Sequence, residues 1–242
     1  MISDGALSQD EIEALLKGSD EAFGGTETAS DGNVDKQLFN EAAKIIADNQ
    51  AFSLSSISTK TVTITNIATT IGNTTNLQQM LSGKMVEAKV SYTGSISGNA
   101  YYFMGEKESL AISSFMMGQK EEILNDMVAQ ALKEAFSQMI GSSDSALTSR
   151  FGGNFTNSPV ETSILEDAST INISGSLAIV NGTATIEGEF ENAPYVLAME
   201  LPLLQALIGN SKSSSGNSAS NSNSGDSNNN EFEPSNQLGV QH

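Results

Sequence analysis

Apolar and polar positions follow two periods along this chain, and the same succession of periods runs twice between residues 34 and 210. The first run predicts a helix over about 34–57, strands at Val62–Thr65, Val86–Tyr92 and Ala100–Met104, and a helix over Lys107–Met117. The second predicts a helix over about 119–150, strands at Thr170–Ile173, Leu177–Val180, Ala184–Phe190 and Tyr195–Met199, and a helix over Pro202–Ile208. Tyr101-Tyr102-Phe103-Met104 leading into Leu110 to Gly118 matches Tyr195-Val196-Leu197-Ala198-Met199 leading into Leu201 to Gly209, at an offset between about 91 and 95 residues. Two halves that each pair a long helix with strands and a short helix predict an α+β domain with pseudo-twofold symmetry, repeats about 34–118 and 119–210.

The long helices carry the most specific pattern. In the second, Ile123, Leu124, Met127, Val128, Ala131, Leu132, Ala135, Phe136, Met139 and Ile140 form a broad apolar stripe expected to face the core. Asp126, Gln130, Lys133, Glu134 and Ser137 occupy the opposite face. The first helix repeats this layout, with Val34, Leu38, Ala42, Ile45 and Ile46 inward and Gln37, Glu41, Lys44 and Asp48 outward, so Glu41 and Glu134 hold equivalent places. Taken alone, both are ordinary solvated helix carboxylates. The methionines Met116, Met117, Met127 and Met139 sit on apolar faces and read as core filling.

Both ends change character. At residues 7–16, Ser8 and Glu11 have the spacing of a capping box, Leu7 and Ile12 that of a hydrophobic staple, and Ile12, Leu15 and Leu16 share a face before Gly18 stops the helix. So short a helix is marginal alone and is expected to fold against a partner. Residues 18–33 are acidic with no apolar period and read as a flexible linker, and the Ser/Asn-rich stretch from 211 to 242 reads as a second one.

Composition narrows the chemistry. The chain has 242 residues, no cysteine, and one histidine, His242, so a disulfide framework, a thiolate metal site and a histidine-based triad are excluded. Gly141 to Ser145 has neither the glycines nor the lysine of a phosphate loop, and neither cofactor nor metal is expected. A formal charge of −18 disfavours nucleic acid and anionic membranes as partners and points to proteins. No apolar run is long enough for a transmembrane segment, and the acidic first residues do not form a signal peptide.

The opening, Leu7 to Leu16 ahead of an acidic linker, resembles the start of the FliM and FliY flagellar motor switch proteins, in which this peptide binds the phosphorylated response regulator CheY. Leu7, Asp10, Glu11, Ile12, Leu15 and Leu16 are the partner-binding residues this resemblance implies. Further on, Glu134-Ala135-Phe136-Ser137-Gln138-Met139-Ile140-Gly141-Ser142 resembles the Glu-x-x-Asn-Gln-Met-Met-Gly-Ser motif of the CheC and FliY phosphatase family. There each half of a CheC-like domain presents Asp/Ser-x3-Glu-x2-Asn on its long helix, the Asn orienting an attacking water and the Glu anchoring the regulator.

Several positions depart from that motif. Ser137 stands where the second Asn belongs and Lys44 where the first does, Gln130 and Gln37 replace the leading residues, and Pro159 lies one position from the expected proline. Serine is too short to orient the water, and lysine offers no acceptor. Losing one positioning hydrogen bond costs about 10²–10³ in rate. The resemblance thus implies a flagellar switch component with Glu41 and Glu134 as a remnant docking surface, alongside an alternative as a CheY-phosphate phosphatase with altered sites. A third reading is an acidic interaction module unrelated to motility. The resemblance further implies a cytoplasmic location at the flagellar basal body, switch-complex proteins as partners, and a FliN-like domain beyond the 211–242 linker.

Overall fold

The computed structural model describes residues 34–214. Its elements in chain order are α1 (Lys36–Ser58), β1 (Val62–Gly72), α2 (Thr74–Gln78), β2 (Met85–Gly94), β3 (Gly98–Gly105), α3 (Glu106–Met117), α4 (Asp126–Phe151), β4 (Phe155–Asn157), β5 (Glu161–Leu165), a 3-10 turn (Ala168–Thr170), β6 (Leu177–Ile186), β7 (Phe190–Glu200) and α5 (Leu201–Ser214). Every strand pairing is antiparallel, and the sheet order is β1-β6-β7-β3-β2-β4, with β5 also pairing β2.

That order reads the same from both ends once β1 is matched to β4 and β5, β2 to β6, and β3 to β7. At the centre, Phe103 pairs with Val196. Beside the sheet, α1 and α4 run antiparallel: Glu41 near the start of α1 meets Arg150 near the end of α4, and Ser142 contacts Asn49, its counterpart 93 residues earlier. Phe103 and Val196 have the same separation, so one pseudo-twofold passes between the central strands and between the helices. The offset falls inside the range expected from the sequence.

Alternation in the strands explains the two layers. Ala88, Val90, Tyr102, Ala178, Val180 and Leu197 point to one face and join the core of the α1/α4 helix pair. Their neighbours Met85, Tyr101, Phe103, Ile179, Val196 and Ala198 point to the other, where Leu77 and the 168–173 segment cover them. The helix stripes are buried as expected at Val128, Leu132, Ala135, Phe136, Met139 and Ile140. Truncating a fully buried ring such as Phe136 costs about 3–5 kcal/mol.

Four expectations need correction. The second long helix begins at Asp126, not 119, because the Asn125 side chain accepts hydrogen bonds from the Met127 and Val128 N–H groups and caps it there. Consequently Ile123 lies outside the helix and is 70% exposed, and Met127, in the first turn, is 61% exposed. Thr170–Ile173 is no strand: Asp167 caps a 3-10 turn, and Gln78 Nε2 and Thr74 Oγ1 satisfy the Ile171 and Ile173 carbonyls that a ladder would otherwise use. The counterpart of β1 is instead the broken pair β4 and β5, interrupted at Pro159, which has no N–H to donate. Finally, Leu177–Val180 and Ala184–Ile186 form one strand, and α5 continues to Ser214 into the stretch read as linker. Extending a formed helix by a turn is far easier than nucleating one. Residues 7–16 and 18–33 lie outside the described residues.

Candidate functional site

The candidate residues of the two motif copies lie on the outer faces of α1 and α4, toward opposite ends of the helix pair, while Leu7 to Leu16 lie outside the described residues. α1 is fixed at its start by Asp35, whose carboxylate accepts from the Gln37 and Leu38 N–H groups at 3.1 and 3.2 Å. From there Glu41 and Lys44 project outward. On α4, Gln130, Glu134, Ser137 and Gln138 are exposed and Lys133 is half-buried. The antiparallel register places the Glu41 end of the pair against the end of α4, with Glu134 toward the opposite end.

The two copies differ in how these groups are occupied. Glu41 is held by the Arg150 guanidinium through two hydrogen bonds, Nε to Oε1 at 2.5 Å and Nη2 to Oε2 at 2.9 Å. This contact pushes the Arg150 pKa above its ordinary value. Lys44 is drawn to Asp48, one turn on, at 2.8 Å. On α4, Glu134 accepts from Gln138 Nε2 at 3.1 Å, and the Ser137 hydroxyl donates to its own helix at the Lys133 carbonyl, 2.8 Å away. Neither motif position therefore presents an amide to a bound phosphoryl group.

Sequence reasoning missed a second polar cluster at the end of α4. Asp144 accepts from the Tyr92 hydroxyl at 3.0 Å and from Asn157 Nδ2 at 2.9 Å, tying α4 to β2 and β4. Burial raises its pKa to about 6, against the lowering effect of both hydrogen bonds. It opens on a shallow bowl of about 490 Å³ lined by Gly141, Asp144, Ser145, Thr148, Ser149 and Asn157. The small polar residues around Asp144 gave no signal beyond that of a solvated helix end. Among the described residues no cluster of three or more acidic or histidine side chains could hold a metal ion, and no helix is long and apolar enough to cross a membrane.

No family model matches the chain. Over 167 residues it is 25% identical to the flagellar motor switch phosphatase FliY of Bacillus subtilis (strain 168), a match covering 66% of this chain and 44% of that protein. The chain thus spans less than half the length of this relative. Its fold superposes on the crystal structure of Thermotoga maritima FliY with a TM-score of 0.65 and 22% identity, covering 75% of this chain and 98% of that one. The FliM middle domain of H. pylori gives a TM-score of 0.57 at 11% identity, covering 74% and 99% of the two chains. A CheC-like superfamily protein from Shewanella gives 0.52 at 14%, covering 66% and 96%.

The fold defines the class, a two-repeat domain with the fold of CheC-like proteins and FliM middle domains. Within that class, the match in sequence and the match in structure are both to FliY, a flagellar motor switch phosphatase in Bacillus subtilis, and this chain is similar to part of it.

Proposed function

We propose that this domain works at the flagellar switch as a docking element, holding a phosphorylated response regulator of the CheY type against the exposed face of α4 and coupling it to the rotor. The observation that carries this reading is Glu134, exposed in the motif register and accepting from Gln138 of its own helix, beside a Ser137 whose hydroxyl is turned back to the helix. A carboxylate so placed can anchor a basic side chain, while nothing at position 137 orients water for in-line attack.

Residues 7–16 would add a second, tethered contact through Ile12, Leu15 and Leu16, raising the local concentration of the regulator at α4. The FliM of H. pylori, at a TM-score of 0.59 and 11% identity, has been crystallised in complex with FliG. By analogy the domain would join other switch-complex proteins on the cytoplasmic side of the basal body.

The test is calorimetric titration of the full chain with a chemotaxis response regulator, with and without beryllofluoride to mimic phosphorylation. Binding should favour the activated form, weaken about tenfold or more with Glu134→Ala, and weaken again with Ile12→Ala and Leu15→Ala together. Equal binding of both regulator forms, or indifference to Glu134→Ala, overturns the reading. A second reading, residual phosphatase activity, is favoured by the intact register from Glu134 to Ser142. It requires phosphate release from the phosphorylated regulator that Glu134→Ala abolishes.

A further inference from the structure

The pseudo-twofold predicts what each side chain on one helix should find on the other, and the prediction fails at Glu41. Glu41 and Glu134 are counterparts at the 93-residue separation that Asn49 and Ser142 define. The counterpart of Arg150, the partner of Glu41, is then Ile57, which is half-buried and carries no charge. Glu41 therefore has an intrachain cation built for it, and Glu134 pairs with no cation among the described residues.

We infer that Arg150 closes the first of the two equivalent docking faces by occupying Glu41, leaving the domain one open face, on α4. The inference rests on the docking reading above and specifies how many regulators that reading allows.

The geometry supports closure rather than a chance surface contact. Both oxygens of Glu41 are engaged by the planar fork, the arrangement a basic residue of a partner would need to reproduce. The guanidinium also lies 5.1 Å from the centroid of the Phe151 ring, and that ring is buried. The fork is thus held from two sides before any partner arrives. Beside it, Lys44 is paired with Asp48, whereas the counterparts of those two residues on α4, Ser137 and Gly141, carry no charge and form no such pair.

The pair stays partly solvated, with the Arg150 and Glu41 side chains 45% and 37% exposed. Its free energy is then that of a good surface pair, so closure should lower the occupancy of Glu41 by about fivefold.

Carboxyl labelling of the full chain with a carbodiimide and glycine ethyl ester, read by peptide mass spectrometry, tests the closure without any partner. Arg150→Gln should raise labelling of Glu41 about fivefold and leave Glu134 unchanged, with Arg150→Lys between the two because it keeps charge but not the fork. Titration with the beryllofluoride-activated regulator tests the consequence. In a Glu134→Gln background, residual binding should strengthen about fivefold with Arg150→Gln, and that gain should disappear when Glu41→Gln is added.

Labelling of Glu41 that ignores Arg150 overturns the closure. Labelling that responds, with residual binding that does not, overturns the assignment of Arg150 as the residue that controls docking. If labelling responds but the regulator binds no variant, the docking reading falls while the closure of Glu41 stands.

Discussion

Asp144 should destabilise the domain at neutral pH, and Asp144→Asn should relieve it. Burial holds its folded-state pKa near 6, from an ordinary value of 3.8. Between those values the folded chain binds more protons than the unfolded chain, so stability falls as pH rises through that window. Roughly two pKa units correspond to about 3 kcal/mol at most, fully lost above the folded pKa. Asparagine keeps the acceptor for the Tyr92 hydroxyl, but its Nδ2 meets Asn157 Nδ2, so Asn157 must turn its amide to accept. Allowing for that rearrangement and for partial solvation, the net gain is about 1–2 kcal/mol at pH 7.5. Urea unfolding of both chains from pH 4 to pH 8 measures it: the advantage of Asp144→Asn should be small near pH 4, grow through pH 6 and level off above. A variant less stable than the parent at pH 7.5, or a difference independent of pH, refutes the argument.

Three further outcomes follow from single contacts. Gly182→Ala should lose about 1–3 kcal/mol in urea unfolding, because its new Cβ would lie 2.7 Å from the Thr65 carbonyl oxygen, a backbone atom in the β1 bulge. Asn125→Ala removes the cap of α4 and should cost about 1 kcal/mol by the same assay, fraying the turn that carries Met127. Ser137→Asn should raise phosphate release from the phosphorylated regulator by up to about 10² over the parent chain, whereas Lys44→Asn should do less because Arg150 still holds the adjacent Glu41.

The helix pair was legible because a stripe repeated over six turns leaves little choice of inward face, and because its duplication supplied an independent check on register. The same length of pattern misled at its start. Ile123 and Met127 extend the apolar spacing, yet one Asn side chain sets the boundary, and a local cap overrides periodicity at a helix end. Strands β4 and β5 escaped notice for a related reason: Phe155–Asn157 and Glu161–Leu165 are short and mostly polar, and take their strand identity from the β2 edge beside them. Conversely, Ile171 and Ile173 look like strand residues but are buried through the second core without any ladder.

The structural asymmetry between Glu41 and Glu134 was hidden for a different reason, since it lies in partners rather than in positions. Glu41 and Glu134 look equivalent in sequence and are equivalent in backbone placement; what separates them is Arg150, 109 residues from Glu41. Duplication explains how such a difference can persist. A twofold fold needs its central contacts, at Phe103 with Val196 and at Asn49 with Ser142, to stay mutually compatible, because each half packs on the other there. The outer helix face carries no such constraint, and a substitution at either end changes one face without disturbing the core. Arg150 and Ile57 are a pair of this kind: Arg150, in the second copy, supplies a charge to Glu41 of the first, whereas Ile57, at the equivalent place in the first copy, is half-buried and supplies none, and the shared scaffold accommodates both. Divergence is thus expected where the chain meets its partners, and the unequal partners of Glu41 and Glu134 lie on such a surface.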